Sequence, residues 1–367
     1  MNDVIRVLHI VSSLGTGSGV MSVLMSYHRH IDRTRVQFDY LSFRQTDVTF
    51  EEEILTLGGK VYHFSRPNLK ADFYKKVDRF FEKHANEYAV VHCHPIYTAA
   101  IFGKAARRHG VSHVIQHSHS TRLSEKFLSQ VRNFAMLSVF RHRATEYVAC
   151  SEAAKKIFFW KKPEEVYLMR NAIDVGKFTF SPEKRAARRK ELGIGEDTLV
   201  LGHVGRFSKE KNHGFLLEVF AEVLKQRPDA KLLLIGDGVL FEAIKTLSAE
   251  KGLAQSVIFA GRQQDVAGYM SAMDVFLMPS LFEGLGIVLI EAQANGLPCL
   301  AANTIPSECA VGGEVVFLPL DYKEEWAIQT LKSLKCRHCG QLDTLTEAGY
   351  NIDVEANGLV RYYLSLI

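Results

Sequence analysis

Short apolar runs alternate with segments of helical spacing along the whole chain, and no other feature narrows the possible folds as far. In the first half Ile5–Val11, Phe38–Phe43, Lys60–Phe64, Ala89–His92, Val114–Gln116 and Tyr147–Cys150 read as strands, with helical patterns at Val20–His30, Phe73–His84, Ala99–His109 and Phe127–His142 between them. This alternation makes a parallel sheet covered on both faces. Such a doubly wound α/β domain takes its ligands at the carboxyl ends of its strands. A second alternation begins after Arg170–Asp174, with strands at Leu199–Val204, Ala230–Ile235, Val257–Ala260, Asp274–Met278, Cys299–Ala301 and Val315–Leu318. At 367 residues the chain suits two domains, and the boundary is read at 172/173.

Composition excludes several classes. Hydrophobic residues make up 47% and charged residues 23%, as in ordinary globular proteins, and no apolar stretch is long enough for a membrane span. MNDVIRVLHIVSSLG reads as a first strand rather than a signal peptide, so the chain is expected to stay in the cytoplasm. The net charge of +4 hides an asymmetry: residues 1–170 hold 25 Lys and Arg against 16 Asp and Glu, and the remainder 20 against 25. The basic half also holds twelve of the 15 histidines. It suits phosphates or anionic headgroups at an inner membrane surface. Without a zinc finger, an RNA-recognition signature or an aromatic-interleaved basic stripe, no nucleic acid partner is expected. Pro182–Glu191 reads as a solvated charged helix, with membrane contact by its basic residues as the alternative. Of the six cysteines, only Cys336 and Cys339 have ligand-like spacing, and no second pair follows them.

The strand-end loops carry the chemistry. Gly15-Thr-Gly17-Ser-Gly19 follows the first strand, but Val20 breaks the dinucleotide fingerprint. Gly17 and Gly19 are read as making room for a ligand or a closing domain. His92-Cys-His94 and His117-Ser-His119-Ser-Thr121 each follow a strand; with no carboxylate beside either pair, metal use ranks below polar or catalytic use. In the second half, Gly205-Arg206 and Lys211 flank a turn before a helix, the arrangement a diphosphate needs. Gly236-Asp-Gly238 and Gly261-Arg262 are further turns at strand ends. Pro279–Pro298, PSLFEGLGIVLIEAQANGLP, places Glu283 and Glu291 across a glycine-rich loop-to-helix transition, where Gly284 and Gly286 let a ligand approach the backbone.

Together, Gly205-Arg206 with Lys211, Gly236-Asp-Gly238, Gly261-Arg262 with Asp265-Val266, and Pro279-Ser280 with Glu283 through Glu291 resemble the retaining glycosyltransferase family 4 (glycosyl transferases group 1). Within it, EAQANGLP and the His-Ser-His motif look most like bacterial exopolysaccharide and capsule-synthesis enzymes. The resemblance covers nearly the whole chain. It implies a GT-B fold, two Rossmann-like domains facing across a cleft: 1–172 for the acceptor, 173–350 for the donor, and 351–367 as a helix crossing back to the first. It also implies transfer, with retention and without a metal, from a nucleotide diphosphate sugar, UDP-sugar foremost, to a saccharide or lipid-linked saccharide. Arg206 and Lys211 would hold the diphosphate, Glu291 the ribose, and Glu283 would lie beside the sugar. Gly205 and the backbone of Gly286, Ile287 and Val288 would meet phosphate and sugar, with Arg262 near the base. His119, with His117 beside it, would lie near the sugar from the acceptor side. Where family members often carry Gly-Gly-Ala-Glu, this chain has Ser18-Gly-Val-Met21, and only Gly19 is kept.

No Asp-x-Asp pair occurs in the sequence, so cations and helix N-termini are expected to stabilise the leaving phosphate. No cofactor is expected. The alternatives are a nucleotide-sugar epimerase of the same fold and a non-catalytic nucleotide-sugar-binding subunit.

Overall fold

The computed structural model describes residues 4–95, 97–119, 143–159, 163–334, 337 and 341–367. The chain divides into two compact units, Met1–Ile173 with Gly349–Ile367, and Asp174–Ala348. The sequence-predicted helix at Phe127–His142, and Thr121, Cys336 and Cys339, lie outside the described residues.

The first unit is built on strands β1 (Ile5–Ser13), β2 (Val36–Arg44), β3 (Val61–His63), β4 (Val90–Cys93), β5 (His113–Ser118), β6 (Glu146–Ala149) and β7 (Val166–Leu168). They lie in the order β3-β2-β1-β4-β5-β6-β7, and all pairings are parallel. Burial on both faces explains their near-continuous apolar sequence; in β2 every residue except Arg44 is buried. Asp39 is tolerated there because its carboxylate accepts from Arg6 Nε at 2.8 Å and from the Lys60 amide at 2.6 Å.

The second unit contains β8 (Val200–Val204), β9 (Lys231–Ile235), β10 (Val257–Gly261), β11 (Val275–Met278), β12 (Cys299–Ala302) and β13 (Val315–Leu318). Their order is β10-β9-β8-β11-β12-β13, again with parallel pairings. Strand order reverses between β1 and β4 in one sheet and between β8 and β11 in the other. Those reversals are where a doubly wound sheet leaves a crevice for ligands.

Helices begin where the sequence supplies caps. Ser18, Ser151, Asp174, Ser181 and Asp265 each accept a backbone N–H three residues on. Edge strand β7 and the short helices Glu51–Thr56, Glu152–Phe158 and Val175–Phe178 escape sequence periodicity. The single helix expected at Ala99–His109 is two, a π-helix Ala99–Gly103 followed by an α-helix Lys104–Arg108. Gly103 stands at their junction, where a Cβ would come within 2.6 Å of Val114 Cγ1.

Helix Pro182–Glu191 corrects a sequence expectation. It is not simply a solvated charged face. Arg189 is only 3% exposed and donates to the carbonyls of Gly195, Glu196, Thr198 and Ala272 and to Asp274 Oδ2 at 2.7 Å. Arg185 donates to Asp274 Oδ1 at 2.6 Å, and the Val200 amide to Oδ2 at 2.8 Å. Charge density in sequence does not distinguish arginines in water from arginines that pin a helix to strand ends. Asp274→Ala leaves both guanidinium groups without their carboxylate, and we expect a loss of about 3 kcal/mol of stability. Urea denaturation followed by circular dichroism measures this, and a loss below about 1 kcal/mol, the range of a solvated pair, would contradict it.

Candidate functional site

At the reversal in the second sheet, the loops leaving β8 and β11 are fastened to each other. The Leu281 amide donates to the Glu210 carbonyl at 2.7 Å, and Lys211 Nζ donates to Glu283 Oε1 at 2.6 Å. The side chains of this pair are 19% and 12% exposed, so each charge sits in reduced solvent and depends on the other. Gly205 is partly buried, and the Lys211 stem runs past it: a Cβ there would lie 3.3 Å from Lys211 Cδ. Gly236, at φ +139°, brings the turn after β9 against the same loop. A Cβ at Gly236 would stand 2.0 Å from the Gly205 carbonyl oxygen, so only glycine permits this approach.

Helix Ile287–Ala294 starts at the end of the β11 loop. Its N-cap, Gly286, is left-handed at φ +79° and ψ +48°, and no side chain caps the helix. An uncapped N-terminus presents backbone N–H groups to an anion. Ile287 is partly exposed beside it and Val288 is buried. Glu291 follows within the helix, partly buried. Burial pushes its carboxyl up to about 8; the charge of Lys177 opposes this, and no hydrogen bond offsets it. Arg206 and Arg262 are exposed at the ends of β8 and β10.

Sequence reasoning passed over His203. It donates from Nδ1 to the Leu277 carbonyl at 2.8 Å, which fixes the neutral tautomer with its lone pair on Nε2. That buried nitrogen has no partner among the described residues. A Cβ at Gly205 would lie 2.9 Å from it, so it lies against the Gly205 backbone. The available signal was a lone polar residue inside the apolar run of β8.

In the first unit the two sequence-predicted histidine pairs meet a fifth histidine. His9 of β1 stands opposite His92 of β4, and the period of two carries His94 and His119 to the same side as His92 and His117. This holds although β4 and β5 end one residue earlier. Two chains of contacts result. His9 Nδ1 meets His94 Nε2 at 3.0 Å, and His94 Nδ1 meets His119 Nε2 at 2.6 Å. The Tyr363 hydroxyl meets His92 Nδ1 at 2.7 Å, and His92 Nε2 meets His117 Nδ1 at 3.1 Å. Tyr363 comes from helix Ile352–Ser365, in the last segment of the chain. Burial, with neighbouring imidazoles adding to it, holds His9, His92, His94 and His117 well below the ordinary imidazole value. Burial alone brings His119 to about 3. All five rings are therefore neutral at pH 7.

The glycine loop after β1 is fixed at its start and exposed beyond it. None of Gly15, Gly17 and Gly19 has a positive φ, and Gly15 bridges to Thr49. Gly17 and Gly19 are exposed, and a Cβ at Gly19 would meet nothing within 4 Å. The space at Gly19 and the backbone at both positions would accept a side chain.

Two doubly wound parallel domains, one with a cation, a carboxylate and an uncapped helix N-terminus gathered where its strand order reverses, are the architecture of a GT-B glycosyltransferase. Residues 17–177 match the family described as Glycosyltransferase Family 4, and residues 184–315 match Glycosyl transferases group 1. The protein named glycosyltransferase EpsF in Bacillus subtilis (strain 168) is 32% identical over 374 residues, covering 98% of this chain and 96% of the relative. The chain belongs to this glycosyltransferase family. A second relative, the UDP-Gal:alpha-D-GlcNAc-diphosphoundecaprenol alpha-1,3-galactosyltransferase of Escherichia coli, is 28% identical over 236 residues, 62% of this chain and 61% of that one. Among solved structures, Anabaena Alr3699/HepE in complex with UDP-glucose matches with a TM-score of 0.75 at 20% identity, covering 99% of this chain and 100% of that chain. The fold is GT-B, with two Rossmann-like domains.

Proposed function

We propose that the protein transfers a sugar, with retention of anomeric configuration, from a nucleotide diphosphate sugar to a hydroxyl of a saccharide or lipid-linked saccharide in cell-surface polysaccharide synthesis. The observation that carries this reading is the Lys211–Glu283 pair at 2.6 Å beside the uncapped helix start at Gly286. A cation and backbone N–H donors favour an anion, and the carboxylate paired with the cation can accept from hydroxyls of an adjoining ring. The UDP-sugar names of the Escherichia coli relative and of the HepE complex support a UDP-sugar donor.

In this mechanism Arg206 and Lys211 hold the diphosphate with the backbone of Gly205, Gly286, Ile287 and Val288. Glu291 accepts from the ribose hydroxyls, Arg262 lies by the base, and Glu283 and His119 address the sugar, with His117 behind His119. The bond from the anomeric carbon to the phosphate oxygen breaks with its electron pair on the diphosphate. The acceptor oxygen attacks on the same face, and its proton passes to the leaving phosphate. Cations and helix N–H groups carry the developing charge without a metal clamp.

The basic first half suits an acceptor presented at an anionic inner-membrane surface from the cytoplasm. Among the described residues no helix is long and apolar enough to cross a membrane. The test is a panel of nucleotide sugars with soluble and lipid-linked acceptors, read by nucleotide diphosphate release and product mass. Release no faster than in the Arg206→Ala, Lys211→Ala double variant would refute transfer, and donor conversion without acceptor would point to an epimerase.

A further inference from the structure

Three buried histidines at the strand reversal of the first sheet have no task in the mechanism above: His9, His92 and His94. Each brings one ring nitrogen within 4.8 Å of those of the other two. Their ring centroids are 5.1, 5.3 and 4.6 Å apart. A tetrahedral zinc ion holds nitrogens at about 2.0–2.1 Å and so spaces them roughly 3.3 Å apart; His9 Nδ1 and His94 Nε2 already stand at 3.0 Å. The far side of two rings is braced in the way metal-bound imidazoles require. His92 Nδ1 meets the Tyr363 hydroxyl at 2.7 Å, and His94 Nδ1 meets His119 Nε2 at 2.6 Å. His9, ligating through Nδ1, keeps an unbraced Nε2, which is buried without a partner among the described residues, and the His92 Nε2 left for the ion also meets His117 Nδ1 at 3.1 Å, a contact the ion would displace. The donor set is all nitrogen, which suits zinc-class ions and not magnesium or calcium.

We propose that His9, His92 and His94 coordinate one zinc-class divalent ion. With His94 Nε2 on the ion, its Nδ1 carries the proton and donates to His119 Nε2, so the remaining His119 proton sits on Nδ1. The ion thereby sets the tautomer of His119; this consequence rests on the sugar-transfer reading, whereas the binding itself does not. His94, His117 and His119 form a second three-histidine set, which shares only His94 and would use His119 as a ligand.

The test is calorimetric titration of the untagged, chelator-treated full chain with ZnCl₂ and, separately, MgCl₂, alongside the absorption spectrum with Co²⁺. One zinc per chain, no magnesium binding, tetrahedral cobalt bands without thiolate charge transfer, and a loss of at least about 10-fold in zinc affinity in His9→Gln and His92→Gln are expected. Cys336→Ser with Cys339→Ser leaves affinity unchanged. Absence of zinc binding, octahedral or thiolate cobalt bands, or full affinity in a folded His9→Gln protein that His119→Gln lacks overturns the assignment. If His9→Gln and His92→Gln do not fold, the cobalt spectrum of His119→Gln decides: tetrahedral bands kept support the assignment, and bands lost place the ion in the second set and overturn it. Sugar transfer can fail while zinc binding succeeds, so the two readings are tested separately.

Discussion

Lys211→Ala is expected to lower kcat/KM for sugar transfer by about 10²–10³-fold, mostly in kcat. In the proposed mechanism the ammonium would lie beside the place where negative charge accumulates as the anomeric bond breaks, so its contribution would grow from ground state to transition state. A second effect accompanies it. Without the ammonium, the Glu283 carboxylate loses its partner at 12% exposure. Because the pair is only partly buried, the stability cost falls below the several kcal/mol of a fully buried pair, at about 1–2 kcal/mol. The two effects separate in Lys211→Met with Glu283→Gln. If the ion pair only braces the two loops, removing both charges restores stability and activity together. If Lys211 stabilises the leaving diphosphate, stability returns while kcat stays well below that of Glu283→Gln alone, the variant that carries the separate cost of the carboxylate proposed to meet the sugar. Steady-state kinetics with thermal denaturation on the single and double variants measures both. Activity within threefold of wild type in the double variant would remove Lys211 from the chemistry.

The sequence marked this candidate site because its parts lie in runs with fixed local geometry. The apolar run before Pro279 makes a buried strand, and the glycines and helix-forming residues after it make a loop and a helix. Two carboxylates therefore fall on either side of a helix start whatever the rest of the chain does. The pairing of Lys211 with Glu283 was not legible. It depends on β8 lying next to β11, and two side chains 72 residues apart leave no periodic mark. The same reason hid His9. His-x-His motifs advertise β4 and β5, but a single histidine within β1 looks like any core histidine until the register places it opposite His92. The docking of helix Pro182–Glu191 onto Asp274 was missed for a different cause: spacing shows which face is apolar, and this helix docks through arginines. Edge strand β7 has three residues, too few for a period to register.

Glu291→Gln is expected to stabilise the ligand-free protein above pH 5 while weakening donor binding. Burial raises the carboxyl from 4.5 to about 8. Below pH 4.5 the group is protonated in folded and unfolded chains alike and contributes nothing to the pH dependence. Between pH 4.5 and 8 the unfolded chain releases the proton and the folded chain keeps it, so stability falls as pH rises. Above pH 8 the penalty is complete, of the order of a few kcal/mol at 1.36 kcal/mol per unit. Glutamine keeps the shape and carries no such penalty. Thermal denaturation should therefore show nearly equal Tm values for variant and wild type at pH 4.5, and a Tm several degrees higher for the variant at pH 8. A difference independent of pH, or a lower Tm at pH 8, would contradict the burial argument. Donor binding should reverse the order, because two hydroxyls donating to the carboxylate supply the solvation that folding removed. Hydrogen bonds to a charged group are worth about 1.5–3 kcal/mol, so nucleotide affinity should fall roughly 10–100-fold in the variant. Binding to the wild type near pH 7 should also release a proton, visible as calorimetric heats that change with the buffer, and the glutamine variant should release none. A carboxylate that weakens the empty domain and tightens the filled one is the pattern of a residue retained for its ligand rather than for the fold.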